Sequence, residues 1–306
     1  MFEFIVRRVA QGLLVMLVAL SVAFALMYGI GDPVISIIGP DADPATIEQM
    51  RRVLGLDRPI AVQYVDFLVR AVQGDFGVST RYRQPVFPLM MSRLRASAEL
   101  AIPAFFLAGV ASLGLGVVSA LRRNQFIDYA ARALALFGQS APAFWVAIML
   151  IVYFSLHLGW LPASGRGTVA HAIMPIFVIS LWPLAYLTRI VRSSMLDVLS
   201  EDYVRTARGK GLPERRVLFG HALRNALLPF ITVLSMQFAS FVAGSMMVET
   251  VFAYPGLGRL MLNAIRQLDI PLVAGSIALT AGLAVLMNLI ADILYAVADP
   301  RVRKGA

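Results

Sequence analysis

Six long apolar stretches, at about 9–30, 99–121, 135–158, 171–191, 227–250 and 272–297, constrain this chain more than any other feature. Each approaches or exceeds the roughly 20 residues with which a helix crosses the hydrocarbon of a bilayer. Backbone polar groups in hydrocarbon must be satisfied without water, and a helix does so within its own segment. The pattern predicts an all-α, polytopic membrane protein with six transmembrane helices. The 171–191 stretch is the weakest, interrupted by Pro175 and Pro183, although spans tolerate proline where neighbours satisfy the freed carbonyls. The first stretch follows Arg7-Arg8 and contains Ala23-Phe24-Ala25, which resembles a signal cleavage site. Its length exceeds the usual signal-peptide core, so it reads as a retained span. Composition agrees: 59% of the 306 residues are apolar and 15% charged, whereas soluble domains are about half apolar.

Charge orients the spans. The N-terminus, 122–132, 189–225 and the C-terminal tail carry sixteen Lys and Arg, while the short opposite loops near 159–170 and 251–271 carry only Arg166, Arg259 and Arg266. Lys and Arg collect in cytoplasmic loops. Both termini and the 189–225 segment are therefore expected in the cytoplasm. The net charge of +9 then serves topology and gives no reason to invoke nucleic acid. The chain has no cysteine, which excludes disulfides and thiolate sites and leaves the redox compartment open.

Residues 31–98 differ in character, with eight basic and seven acidic residues. Asp43-Pro44 can start a helix with Ile47, Met50 and Leu54 on one face before Gly55; a second runs from about Pro59 to Gln73 and stops at Gly74. The chain thus divides into a first span (1–30), an extracytoplasmic helical region (31–98), a five-span core (99–298) containing a charged cytoplasmic loop (195–225), and a tail (299–306).

Within that loop, Leu196, Leu199, Tyr203 and Ala207 recur at helical spacing, opposite Glu201, Asp202, Arg205 and Arg208. Gly209 and Gly211 then break the pattern. Leu212-Pro213-Glu214 restarts it, because proline at a helix start loses no needed N–H and a first-turn carboxylate suits the dipole. The reading is helix, glycine turn, helix outside the hydrocarbon.

Ala207 with Gly211 four residues later resembles the EAA loop of ABC importer permeases. The wording YVRTARGKG and HALRNALLP is similar to the dipeptide, oligopeptide, nickel and glutathione branch. Arg205 and Thr206 stand where Glu and Ala are usual, and Arg224 where a later proline is usual; these departures resemble the peptide-type members. GPDAD, LGLDRPI, GDFGVS and, after the fifth stretch, ETVFAYPGLG extend the resemblance over nearly the whole chain, as in the B-type subunit.

The resemblance implies the type I ABC importer permease fold. It implies that Arg205, Thr206, Ala207, Arg208, Gly209, Lys210, Gly211 and Leu212 form the ATPase-coupling loop, and that Glu249, Tyr254, Pro255 and Gly256 lie near an outer gate. The implied partners are a second, C-type permease subunit in a heterodimer, two ATPase subunits holding ATP and Mg, an extracytoplasmic substrate-binding protein, and the lipid of a bacterial inner membrane. The implied cargo is a short peptide or peptide-like solute such as glutathione, with nickel as the alternative.

Other polar residues are few. Asp292, one turn after Asn288 in the last stretch, is an intramembrane candidate; close to the cytoplasmic end, it also reads as an ion-pair partner. His157, His171 and His221 stand singly, without metal-ligand spacing. There is no G-x-x-x-x-G-K-[ST] phosphate loop, so ATP hydrolysis is expected on other subunits and no cofactor or metal on this one. An ion-coupled carrier is the competing transport reading, but the spans lack the buried acid or histidine relay it needs. A membrane-embedded enzyme lacks a recognisable catalytic constellation.

Overall fold

The computed structural model describes residues 2–29, 34–35, 43–53 and 55–298; the expected tail at 299–306 lies outside them, as do Ile30 and Leu54. Helices dominate, in chain order α1 (Phe2–Gly29), α2 (Pro44–Val53), α3 (Ile60–Val72), α4 (Val86–Leu121), α5 (Phe126–Ser140), α6 (Ala143–Leu150, continued by a π-helical turn at Ile151–His157), α7 (Val169–Leu199), α8 (Asp202–Gly209), α9 (Glu214–Arg216, continued by a π-helical turn at Val217–Ala222), α10 (Leu223–Val251), α11 (Leu257–Arg266) and α12 (Ile270–Ala298). Among the described residues, five helices are long and apolar enough to cross a membrane, six if one bent pair counts as a single span. The all-α, multi-span expectation holds.

The stretches behave unequally. The 171–191 run is continuous helix from Val169 to Leu199, with Pro175 and Pro183 inside it. The 135–158 run is not one straight helix: α5 and the α6 segment meet at 107°. Ala141 adopts φ −74°, ψ 127°, the extended geometry that the residue before a proline favours, and Pro142 then leads into α6. The fifth span also begins earlier than the apolar run at 227–250, because helix continues from Glu214 through the π turn.

The chain forms two compact units. One comprises Phe2–Ser97 with Pro255–Leu289. Here Phe24 of α1 meets Tyr64 and Phe67 of α3, with ring centroids at 5.2 and 5.6 Å. Its core gathers Val86, Met90, Leu257, Leu260, Leu272 and Val273. Asp269 is fully buried and caps α12, accepting a 3.4 Å bond from the Leu272 N–H. It also accepts the Ser79 hydroxyl and, at 3.3 Å, the backbone N–H groups of Thr80 and Arg81.

The other unit comprises Ala98–Tyr254 with residues 290–298. In it α7 packs along α10 and α5, around Leu187, Val191, Met195, Ala222, Ala226 and Phe230. At Gly116 of α4 an added Cβ would lie 2.5 Å from Val191 Cβ and 2.9 Å from the Thr188 carbonyl. Only glycine permits that approach, the small-residue packing that lets membrane helices gain dispersion contact.

Candidate functional site

The charged loop becomes a compact helix–turn–helix. The expected helix through Leu196, Leu199, Tyr203 and Ala207 is corrected: α7 ends at Leu199, and Glu201, with φ −69° and ψ 147°, starts a separate helix α8. The break rotates the inward face, so Val204 and Ala207 are buried while Tyr203 is 41% exposed. Val204 and Ala207 pack against Val217, with Val198, Leu199 and Leu212 alongside. The apolar side of α8 thereby rests on the end of α7 and the start of the fifth span.

The turn after α8 explains the Ala207 to Gly211 spacing. Gly211 donates its N–H to the Arg208 carbonyl at 2.9 Å, and Leu212 donates to the Ala207 carbonyl at 3.4 Å. This nested pair is a Schellman C-cap, with Leu212 returning to the side chain at the other end of the longer bond. Gly211 has φ +74°, a left-handed conformation natural to glycine. Gly209, expected to help break the helix, instead lies within it and faces open space. Pro213 caps the second helix from outside, and Glu214 is its first residue.

Arg208 ties the two helices. Its Nε and Nη2 donate to Glu214 at 3.2 and 2.8 Å, and this bidentate pairing holds the guanidinium's pKa above its ordinary value. The Asn225 amide reaches the Tyr203 hydroxyl at 2.8 Å. Thr206 is spent locally, its hydroxyl donating to the Asp202 carbonyl at 2.9 Å. Arg205 lies on the exposed side of α8, 3.5 Å from Asp202, and Lys210 is exposed at the turn. The product is a braced knob with cations outside and a small apolar core beneath.

The residues expected near an outer gate do not form one exposed group. Glu249 is fully buried and accepts the Ser245 hydroxyl at 2.8 Å. Tyr254 is 2% exposed; its backbone N–H returns to the Glu249 carbonyl at 2.8 Å, and its hydroxyl donates to Glu99 at 2.9 Å. Burial, then this hydrogen bond, raises its pKa to about 12. Pro255 and Gly256 lead into α11 in the other unit. Asn288 and Asp292 lie one turn apart on α12, Asn288 exposed and Asp292 half-buried. His171 closes the start of α7, its Nδ1 accepting the Thr168 N–H at 3.2 Å.

Two clusters had no local sequence signal. Arg166 Nε donates to Glu99 at 2.9 Å across 67 positions of sequence, joining the loop after α6 to α4 beside Tyr254; the pairing raises the pKa of Arg166. Asp128, fully buried, receives Arg192 through Nε at 2.7 Å and Nη2 at 2.9 Å, and also Ser119 at 2.6 Å and the Asn124 N–H at 2.9 Å.

Residues 112–304 match the family described as binding-protein-dependent transport system inner membrane component, and residues 1–101 match the N-terminal region of such membrane components. The chain belongs to this permease family. It is 41% identical over 314 residues to the oligopeptide transport system permease protein AppB of Bacillus subtilis, covering 99% of each chain. It is 37% identical over 336 residues to the dipeptide transport system permease protein DppB of Escherichia coli K12, and 41% identical over 312 residues to a putative peptide transport system permease protein of Brucella abortus, again covering 99% of each. A chain of the MetNI methionine ABC transporter in an inward-facing conformation superposes with a TM-score of 0.55 at 17% identity, over 69% of this permease and 96% of that chain, a likeness of fold. The permease is thus a multi-pass membrane component of an ABC transport system.

Proposed function

We propose that this permease is the B-type subunit of an importer that carries short peptides or peptide-like solutes into the cytoplasm, and that it receives the work of ATP hydrolysis through Arg205–Leu212. The braced turn at Gly211 carries the reading. A coupling element must move as a body, and this one is held by the nested C-cap, the Arg208–Glu214 pair and the Val204–Val217 contact. Its base is continuous with the helix that becomes the fifth span, so a push on α8 turns that span as a lever. Arg205 and Lys210 supply cations for acidic groups on an ATPase surface. ATP and Mg belong to two ATPase subunits. A second, C-type permease completes the pathway, and an extracytoplasmic binding protein delivers cargo. The excess of Lys and Arg beside 189–225 and at both termini supports a cytoplasmic placement in a bacterial inner membrane. The peptide cargo is supported by the peptide names of relatives that align from end to end. In this reading Glu249 and Tyr254 brace the outer end of the fifth span, and Asp292 anchors the last span near the cytoplasmic surface.

The test is isolation of the tagged permease from detergent-solubilised membranes, with lysine crosslinking before solubilisation. Two ATPases and a second permease should co-purify, with a crosslink at Lys210, and the co-isolated binding protein should bind dipeptides or oligopeptides. Failure to recover any ATPase with or without crosslinking would remove the coupling assignment. A binding protein that took nickel and ignored peptides would overturn the cargo.

A further inference from the structure

We infer that the cleft between α5 and α7 binds a phosphate oxyanion through Arg132 and Arg189. The cleft has a volume of about 340 Å³, within the range of small-ligand sites. It brings three guanidinium groups, of Arg132, Arg189 and Arg192, beside one carboxylate, Asp128. Arg192 engages both oxygens of that carboxylate, and its charge is neutralised in place. Arg132 approaches Asp128 only at 3.6 Å and lies over the Tyr129 ring, 4.6 Å from its centroid. Arg189 lies over Tyr186 at 5.7 Å. Aromatic faces orient these two cations without neutralising them, so two positive charges remain in excess around the cleft. Arginine's planar fork is matched to the oxygens of a phosphate.

The apolar part of the lining favours a lipid over a free ion. Arg132 stands just before the apolar run of 135–158, and Arg189 stands at the end of 171–191. Both helices thus pass from charged to apolar residues at the cleft, which is headgroup depth for the spanning helix α7, against which α5 packs as the first arm of the bent pair. Beyond Arg132 the wall continues through Ala135 and Leu136 to Gln139, an axial run of about 10 Å along α5. Basic clefts between spanning helices at this depth suit anionic headgroups. The phosphate sits on Arg132 and Arg189, and an acyl chain follows Ala135 and Leu136. None of this depends on the cargo or on the coupling loop.

The full-length permease, purified in detergent with its associated subunits, is titrated with dioctanoyl phosphatidylglycerol, dioctanoyl phosphatidylcholine and sodium phosphate. Binding is read by native mass spectrometry and by the shift in unfolding temperature. Phosphatidylglycerol is expected to bind on the order of tenfold tighter than phosphatidylcholine and to lose about that factor in the Arg132→Gln/Arg189→Gln variant. The Arg132→Lys/Arg189→Lys variant, which keeps the charge, should retain most of the binding and covers the case in which the Gln variant misfolds. Saturation by sodium phosphate alone, abolished by the same Gln substitutions, supports the oxyanion site and assigns it to free phosphate. Unchanged phosphatidylglycerol binding in the Gln variant, or an equal loss in an Arg215→Gln/Arg216→Gln control of the same net charge, overturns the inference.

Discussion

Replacing Gly211 by valine separates the shape of the coupling turn from its mere presence. At φ +74° nothing lies within 4 Å of an added Cβ, so the substitution causes no collision and its effect is conformational. A left-handed backbone costs an L-residue roughly 1–2 kcal/mol. About 1.4 kcal/mol, the middle of that range, lowers the equilibrium constant for the closed turn tenfold. The Gly211 and Leu212 N–H bonds to the end of α8 weaken with it, and so does the register of Arg208 with Glu214. Gly209, two positions earlier, is helical and also faces open space; alanine there removes a helix penalty of about 1 kcal/mol. In proteoliposomes holding the assembled transporter, Gly211→Val should therefore insert normally and hydrolyse ATP, while solute moved per ATP falls by at most about tenfold. Gly211→Asn, whose side chain tolerates the left-handed region, should fall between valine and wild type, and Gly209→Ala should transport as wild type does. Normal coupling in Gly211→Val, or an equal loss in Gly209→Ala, would refute the claim that a left-handed glycine shapes the coupling element.

The remaining predictions concern the supports around it. Val204→Ala opens space beneath α8 and should loosen the knob by about 1–2 kcal/mol, read as faster amide exchange across 202–217. Asp128→Asn leaves Arg192 half-buried without its carboxylate and should lower stability by on the order of 3 kcal/mol; adding Arg192→Met should recover part of the loss in thermal unfolding, and no recovery would show that the pair is not a unit. Tyr254→Phe removes the hydroxyl bonded to Glu99, a loss of about 1 kcal/mol. Because the pKa of Tyr254 is raised from 10.0 to about 12, its stabilisation is complete below pH 10 and disappears as pH rises through 12. A tyrosinate absorbance titration of the folded protein should therefore lose a component near pH 12 in Tyr254→Phe, and an unchanged curve would contradict the bond to Glu99.

Sequence alone determined that this is a helical membrane protein and where most spans lie, because burial in lipid demands long apolar runs whatever their neighbours are. It also located the glycine turn of the charged loop, since Gly211 and Pro213 act through their own backbone preferences. Those preferences did not decide which proline breaks a helix: Pro103, Pro175 and Pro183 lie inside continuous helices, while Ala141-Pro142 marks the 107° bend. The outcome depends on what neighbouring helices offer the freed backbone groups, and a linear pattern does not contain that. The inward face of α8 was misplaced for a different reason, because one extended residue at Glu201 shifts the helical phase. Partners such as Asp128 and Arg192 or Glu99 and Arg166 lie more than 60 positions apart. Only the folded packing of α4, α5, α7 and the following loops brings such charges within hydrogen-bond range, with Asp128 buried from water and Glu99 about half-exposed.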